Sequence, residues 1–379
     1  MKKVLLTLIL LLVLSGIHAQ VNATMPSTYY SSVNGKSGED IRTALNGIIR
    51  SHTTVSYDNL KYLFQWSDTY DAAGEVIEDI YSSCDVAYTT SWCSGACGGY
   101  NREHSVPKSW FGEETPQYSD AFHLYPTNQY VNSQRSNDAY GVCAGGNACT
   151  TTAVKGKALG RSGSSTFVAD NGHSYTSAGN VFEPDNRYKG DLARTYFYMV
   201  TCYLTTNFTQ AAGGRTMFTY SGNKAQLSQY SIDLLLKWHR EDPVSEKELI
   251  RNEVIYGNSL YNKCSYKQGN RNPFIDYPEL AEYIWGNKAG QSVNMAALAS
   301  GYANISTGAE TVCDVDQHYT LSVMQGTLQI ETTQADIIMI YDYMGRLYYA
   351  GTDTDLNISL PPGIYILRIG GKTEKVTVK

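Results

Sequence analysis

Charged side chains are scarce in this sequence, at 17% of 379 residues, and no surplus of basic ones makes up for it. Lys and Arg number 30 against 36 Asp and Glu, a net charge of −6. That balance excludes a protein whose whole surface attracts polyanions. The composition also excludes a disordered chain, because 42% of residues are hydrophobic and 31 are tyrosine, which suits a rigid globular protein. There is no internal repeat. The apolar run from Val4 to Leu14 is too short to cross a bilayer, and no cysteine follows it to accept a lipid. With Lys2 and Lys3 ahead of it and Ile17-His18-Ala19 behind, it reads as a signal peptide over residues 1–19, with a mature chain starting near Gln20 as a soluble exported protein.

About 360 mature residues suggest two domains, or one large domain with an appendage. Eight cysteines (Cys84, Cys93, Cys97, Cys143, Cys149, Cys202, Cys264 and Cys313) in an exported chain read first as disulfides. Cys93/Cys97 and Cys143/Cys149 have spacings that zinc could use, but no histidine neighbours them. Residues 101–240 carry 13 Lys/Arg against 10 Asp/Glu, a local excess of three cations on an acidic chain. A basic face there is compatible with a polyanionic substrate.

Along the chain, the spacing of Ile41, Leu45 and Ile49, with Glu39 and Asp40 in the first turn, predicts a helix over 38–51. Residues 57–64 suit either a helix or a strand, and Val76–Tyr81 a buried strand or short helix. The stretch 143–180 is rich in Gly, Ser and Thr and reads as a long loop. Helices are expected over 191–204 and 226–239, with Ser245 and Glu248 opening another through a capping box. Residues 287–318 look like a linker. From Tyr319 onward six short alternating runs, at 327–331, 337–341, 347–349, 358–360, 364–369 and 375–378, argue for a small β-sandwich.

The chemistry-bearing residues lie between Asn101 and Asn137. Glu103 and His104 are adjacent, and Asn132 follows on a helix that Thr127 or Asn128 could cap and that runs through Arg135. Two strands leading into that helix form a ββα unit. A neutral His104 is a general base for water, and Glu103 and Asn132 are oxygen ligands for one hard divalent cation, most naturally Mg²⁺, that would neutralise a pentacovalent phosphate and the departing 3′ oxygen. His123, flanked by Phe122 and Leu124, reads as a hydrogen-bonded core histidine. Adjacent strand residues point to opposite faces, so Glu103 and His104 need a twist or bulge to serve one site, or act from two sides of it.

Asn101-Arg102-Glu103-His104-Ser105-Val106-Pro107-Lys108-Ser109-Trp110-Phe111, then Asp120-x-x-His123-Leu124-x-Pro126, then Asn132-x-x-Arg135-Ser136-Asn137 resemble the endonuclease I family of His-Me finger (ββα-metal) nucleases. The resemblance continues through Glu183–Met199 and Gly269–Asp276, covering roughly residues 38–286. It implies an α+β, helix-rich His-Me finger domain over 20–286; the composition and alternation beyond it give a linker over 287–319 and a C-terminal all-β sandwich over 320–379. It implies His104 as general base, Glu103 and Asn132 as ligands of Mg²⁺ (or Mn²⁺ or Ca²⁺), and cleavage of DNA, and often RNA, with little sequence preference, leaving 5′-phosphates. Family members carry an arginine between the Glu-His pair and the metal helix to brace the scissile phosphate. Residues 111–119 contain none, which leaves Lys108, Arg135 and Arg194 as candidate substrate-binding cations.

The C-terminal segment, with Ile340-Tyr341-Asp342-Tyr343-Met344-Gly345-Arg346 and Leu360-Pro361-Pro362-Gly363-Ile364-Tyr365, resembles the sorting domain of type IX secretion substrates. That implies engagement of the outer-membrane secretion machinery and a secreted or surface location for a monomer with no membrane span. The expected function is a secreted, metal-dependent endonuclease. The alternatives are a catalytically impaired surface binding protein on the same fold, and a narrow phosphodiesterase acting on small nucleotides.

Overall fold

The computed structural model describes residues 25–69, 74–81, 86–93, 99–143, 147–148, 160–302, 319–324, 327–332, 338–342, 347–361, 363–369 and 372–378. The expected signal peptide and Cys84, Cys97, Cys149 and Cys313 lie outside them. The chain divides into two compact units, 1–308 and 309–379.

The first unit is α+β. Helix α1 (Gly38–Ile49) buries Ile41, Leu45 and Ile49, and its acidic first turn complements the helix dipole. Helix α2 (Leu60–Ser67) buries Leu60, Leu63, Phe64 and Ser67. That i, i+3, i+4, i+7 spacing decides between the two readings of residues 57–64 in favour of the helix. Strands β1 (Tyr100–His104) and β2 (Leu124–Asn128) pair antiparallel, from Tyr100 opposite Asn128 to His104 opposite Leu124. Asn128 then caps helix α3 (Gln129–Arg135), accepting from the Tyr130 amide.

Residues expected to be loop beyond position 160 form a hairpin instead, β3 (Gly160–Val168) with β4 (Ser174–Glu183). Its turn is closed by the Ala169 amide on the His173 carbonyl (2.9 Å) and by Gly172 at φ +81°. Ser, Thr and Gly give such a hairpin no hydrophobic alternation to read. Its ladder of backbone hydrogen bonds holds it regardless.

Helix α4 (Lys189–Cys202) is buried along its whole length, so the one apolar side visible in the sequence understates its burial. Its polar side chains survive there because they are bonded; Thr195, for example, meets the Tyr125 hydroxyl at 2.7 Å. Helix α5 (Gln229–Glu241) packs on α4, and α6 (Glu246–Tyr256) on α2. The capping box of α6 is present as expected, with Gly257 at φ +99° after its last turn. Among the described residues no helix is long and apolar enough to cross a membrane.

Two expectations are corrected. Residues 287–302 are not linker, since Val293 is buried and exchanges backbone hydrogen bonds with Gly35 and Lys36. Nor do the cysteines all pair. Cys93 is disulfide-bonded, but Cys202, buried at the end of α4, and Cys264 are free thiols.

The second unit has two antiparallel sheets. One joins β5 (Tyr319–Met324), β6 (Thr327–Thr332) and β9 (Asp355–Ser359); the other joins β7 (Ile338–Asp342), β8 (Leu347–Gly351), β10 (Gly363–Ile369) and β11 (Lys372–Val378). Their orders are β5-β6-β9 and β8-β7-β10-β11. Leu328 and Ile330 of β6, Ile338 and Ile340 of β7, and Leu367 and Ile369 of β10 alternate into one apolar cluster.

Buried arginines tie the first unit together. Arg271 reaches Glu253 (2.6 Å), both oxygens of Asp276 (2.7 and 2.9 Å) and the Tyr302 hydroxyl (2.5 Å). Arg271→Met leaves two buried carboxylates without their cation and is expected to lower the unfolding free energy by about 3–5 kcal/mol in urea melts. Burial raises the carboxyl of Glu253, and Arg271 more than offsets it, so its pKa lies below the ordinary value. The stability it contributes is complete above the unfolded-state pKa of about 4.3 and is lost as pH falls through the lower folded value. Melting temperatures taken from pH 7 to pH 3 are expected to show this fall in the parent and less of it in Arg271→Met.

Candidate active site

Glu103 and His104 come to one pocket because β1 ends at His104 and the chain bends away immediately after it. The pocket, of about 180 Å³, is lined by Tyr57, Arg102, Glu103, His104, Lys108 and Asn132, with Arg135 behind them.

His104 is nearly buried, and its Nε2 lies 2.8 Å from the Tyr118 carbonyl oxygen. A carbonyl only accepts, so Nε2 carries the proton and Nδ1 keeps its lone pair. No protein hydrogen bond occupies Nδ1 among the described residues. Burial above all, and then the neighbouring His123, hold the imidazole well below its ordinary pKa, so the ring is neutral. Tyr57 stacks on it at 5.3 Å. The tautomer of this imidazole is fixed.

Glu103 is buried. Its Oε1 accepts from the Tyr81 hydroxyl (2.8 Å) and from Arg135 Nη1 (2.7 Å), while Oε2 accepts nothing among the described residues. Burial pushes its carboxyl up to about 7 against the opposing pull of Arg135 and Tyr81. The Asn132 amide donates through Nδ2 to the Arg102 carbonyl oxygen (3.1 Å), which leaves Oδ1 with no partner among the described residues. Two unpaired oxygens beside a neutral imidazole suit a hard divalent cation, so the residues present fit such an ion.

The three candidate cations separate. Lys108 sits at the pocket, partly exposed and 3.1 Å from Glu113. Arg135 is 1% exposed; besides Glu103, it is bound to the His104 and Ser105 carbonyls at 2.9 and 2.7 Å. It therefore holds the wall of the pocket. Arg194 does not line the pocket at all: it grips Glu248 through Nε (2.5 Å) and Nη2 (2.7 Å) and reaches the Asp242 carbonyl (2.8 Å). His123 is buried and bonded to the Gln117 carbonyl (2.6 Å), as expected of a core histidine.

Sequence reasoning missed Arg102. Its guanidinium lies between the Tyr57 ring (3.9 Å) and the Trp92 ring (4.1 Å), with Nη1 on the Tyr57 carbonyl (3.2 Å). Nη2 has no partner among the described residues, and the residue lines the pocket. The only signal was its place beside Glu103, because the rings that clamp it come from distant segments.

The chain matches Endonuclease I over residues 37–279, a span that holds every element of this pocket. It belongs to the Endonuclease I family. Membership makes it a nuclease, hydrolysing phosphodiester bonds. It is similar to an extracellular ribonuclease of Bacillus amyloliquefaciens, 32% identical over 263 residues, covering 68% of this chain and 78% of the relative. It is also similar to an extracellular ribonuclease of Bacillus subtilis (strain 168), 31% identical over 267 residues with the same coverage.

Two other features of this Endonuclease I chain compete for attention and are already filled. His52, Asp120 and Cys202 place metal-type atoms within 4.8 Å of one another. Asp120, however, already accepts from Tyr198 (2.7 Å), Tyr203 (2.6 Å), Gln268 (3.1 Å) and the Phe122 amide (2.8 Å). A larger cavity, about 390 Å³, lies between the β3–β4 turn, α5 and Trp285. Its carboxylates are engaged as well, Asp233 by Tyr175 (2.6 Å) and Asp170 by Arg240 (2.7 Å).

Stability separates the structural arginine from the clamped one. Arg194→Met is expected to cost about 3–5 kcal/mol in denaturant unfolding, since Glu248 is left buried and unpaired. Arg102→Ala, losing two ring contacts, should cost no more than about 2 kcal/mol.

Proposed function

We propose that this chain is an exported, metal-dependent endonuclease with a His-Me finger site, cleaving DNA and RNA with little sequence preference. The observation that carries the reading is the pairing of a tautomer-fixed His104 with the two open oxygens of Glu103 and Asn132. Export is supported by the N-terminal leader in the sequence and by relatives named extracellular ribonucleases. Those names also favour RNA among the substrates. The two-sheet C-terminal unit is the candidate secretion module.

His104 takes a proton from water at Nδ1 while Nε2–H stays on the Tyr118 carbonyl, so the ring keeps its orientation as it becomes charged. Glu103 Oε2 and Asn132 Oδ1 would hold one divalent cation, which supplies charge neutralisation at the phosphate and the leaving oxygen. Arg102, immobilised between two rings, presents its free Nη2 edge to a phosphate oxygen as a preorganised donor. Lys108 adds a second, mobile cation at the pocket mouth. Net charge is −6, so affinity rests on these few phosphate contacts and falls steeply with salt.

A supercoiled-plasmid assay beside a single-stranded RNA assay tests this. Cleavage is expected with Mg²⁺ or Mn²⁺ and not with EDTA. His104→Ala is expected to be slower by about 10²–10⁴-fold, and Arg102→Ala by about 10²–10³-fold, with partial recovery in Arg102→Lys. If neither substrate is cut, or if His104→Ala cuts as fast as the parent, the catalytic reading is lost and the impaired binding protein takes its place.

A further inference from the structure

We infer that Tyr81, backed by Tyr140 and opposed by Arg135, is a positioning residue for the cation: it reserves one oxygen of Glu103 so that only the other can bind metal. The inference rests on Glu103 being a metal ligand and goes beyond it by assigning the parts that decide how that ligand is presented.

Tyr81 precedes β1 by nineteen residues, in the loop after the short strand Val76–Ile77. Its hydroxyl meets Glu103 Oε1 at 2.8 Å and the Tyr140 hydroxyl at 2.5 Å. The proton directions follow from chemistry. An ionised carboxylate only accepts, so Tyr81 spends its single proton on Glu103, and Tyr140 must donate to Tyr81. Arg135 Nη1 reaches the same Oε1 at 2.7 Å, so that oxygen has two donors, and Oε2 has none among the described residues. All four side chains are buried, with Tyr81 and Tyr140 fully so.

Tyr140 is itself held firmly. Its backbone pairs with Phe182 of β4, and its carbonyl accepts from Tyr230 on α5 at 2.9 Å. Its ring packs against Tyr196 (5.3 Å) and Trp238 (5.9 Å). The relay thus runs from the hairpin and α5, through two hydroxyls, to a ligand oxygen of the site. A carboxylate so fixed binds a cation through one oxygen at a set angle. Without the relay Arg135 alone would hold that oxygen, and the carboxylate would present Oε2 at a less fixed angle. Partners of this kind around a metal ligand typically set affinity by about 10–100-fold.

The test is Mn²⁺ binding to the full chain, followed by electron paramagnetic resonance of the free ion, with plasmid cleavage and thermal melting measured on the same samples. Tyr81→Phe is expected to raise the Mn²⁺ dissociation constant about tenfold. Tyr140→Phe, which leaves the Tyr81–Glu103 bond intact, should raise it less, and Asn132→Ala should abolish binding. A Tyr81→Phe protein that melts lower but binds Mn²⁺ as the parent does makes Tyr81 merely structural and overturns the inference, as does one in which Tyr140→Phe has the larger effect. Failure of the underlying reading looks different: the parent itself then binds no Mn²⁺, or Asn132→Ala binds it as well as the parent.

Discussion

A buried guanidinium must find an oxygen for its donors, and the first unit is organised around that demand. Arg135 sits behind the pocket and ties Glu103 to the carbonyls of His104 and Ser105, fixing the end of β1 by side chain and backbone together. Arg251 does the same for the start of β2, bonding Asp68 and the carbonyls of Ala121 and Leu124. Removing either cation would strand oxygens that no water reaches. The two strands beside the candidate pocket are thus pinned from α3 and from α6, by side-chain bonds in addition to strand pairing.

This explains how so small a pair of strands can hold the candidate site. Five-residue strands are weak by themselves, yet here their ends are crosslinked through the core. The same burial that makes the crosslinks strong also dries the site. It keeps His104 neutral and raises Glu103 to about 7, against the opposing pull of Arg135. Structure and reactivity draw on one environment.

That Glu103, His104 and Asn132 share one pocket was legible because they fall within thirty residues of one another, on two strands and the helix that follows them. Helices α1, α5 and α6 were legible for the usual physical reasons, an apolar stripe or a capping box. What escaped was whatever depends on long-range contact. Arg102 looks like any strand arginine until Tyr57 and Trp92 close on it from both sides. Arg135 and Arg194 looked alike as spare cations, and only their burial and their partners separate them. The hairpin β3–β4 carried no alternation, since Ser, Thr and Gly pair by backbone without declaring an inward face. Residues 287–302 lacked pattern for a similar reason: their anchors are single residues, Val293 and Tyr302, that reach distant partners.

The clamp around Arg102 has an optical consequence. Trp92 lies 4.1 Å from the guanidinium, and its indole nitrogen bonds to Asp58 at 2.9 Å. Indole emission responds to the field of a nearby cation, and a bound phosphate would cancel part of that field. A phosphate bound at Arg102 would thus be expected to shift the emission of Trp92, one of 5 tryptophans in the chain, without any label.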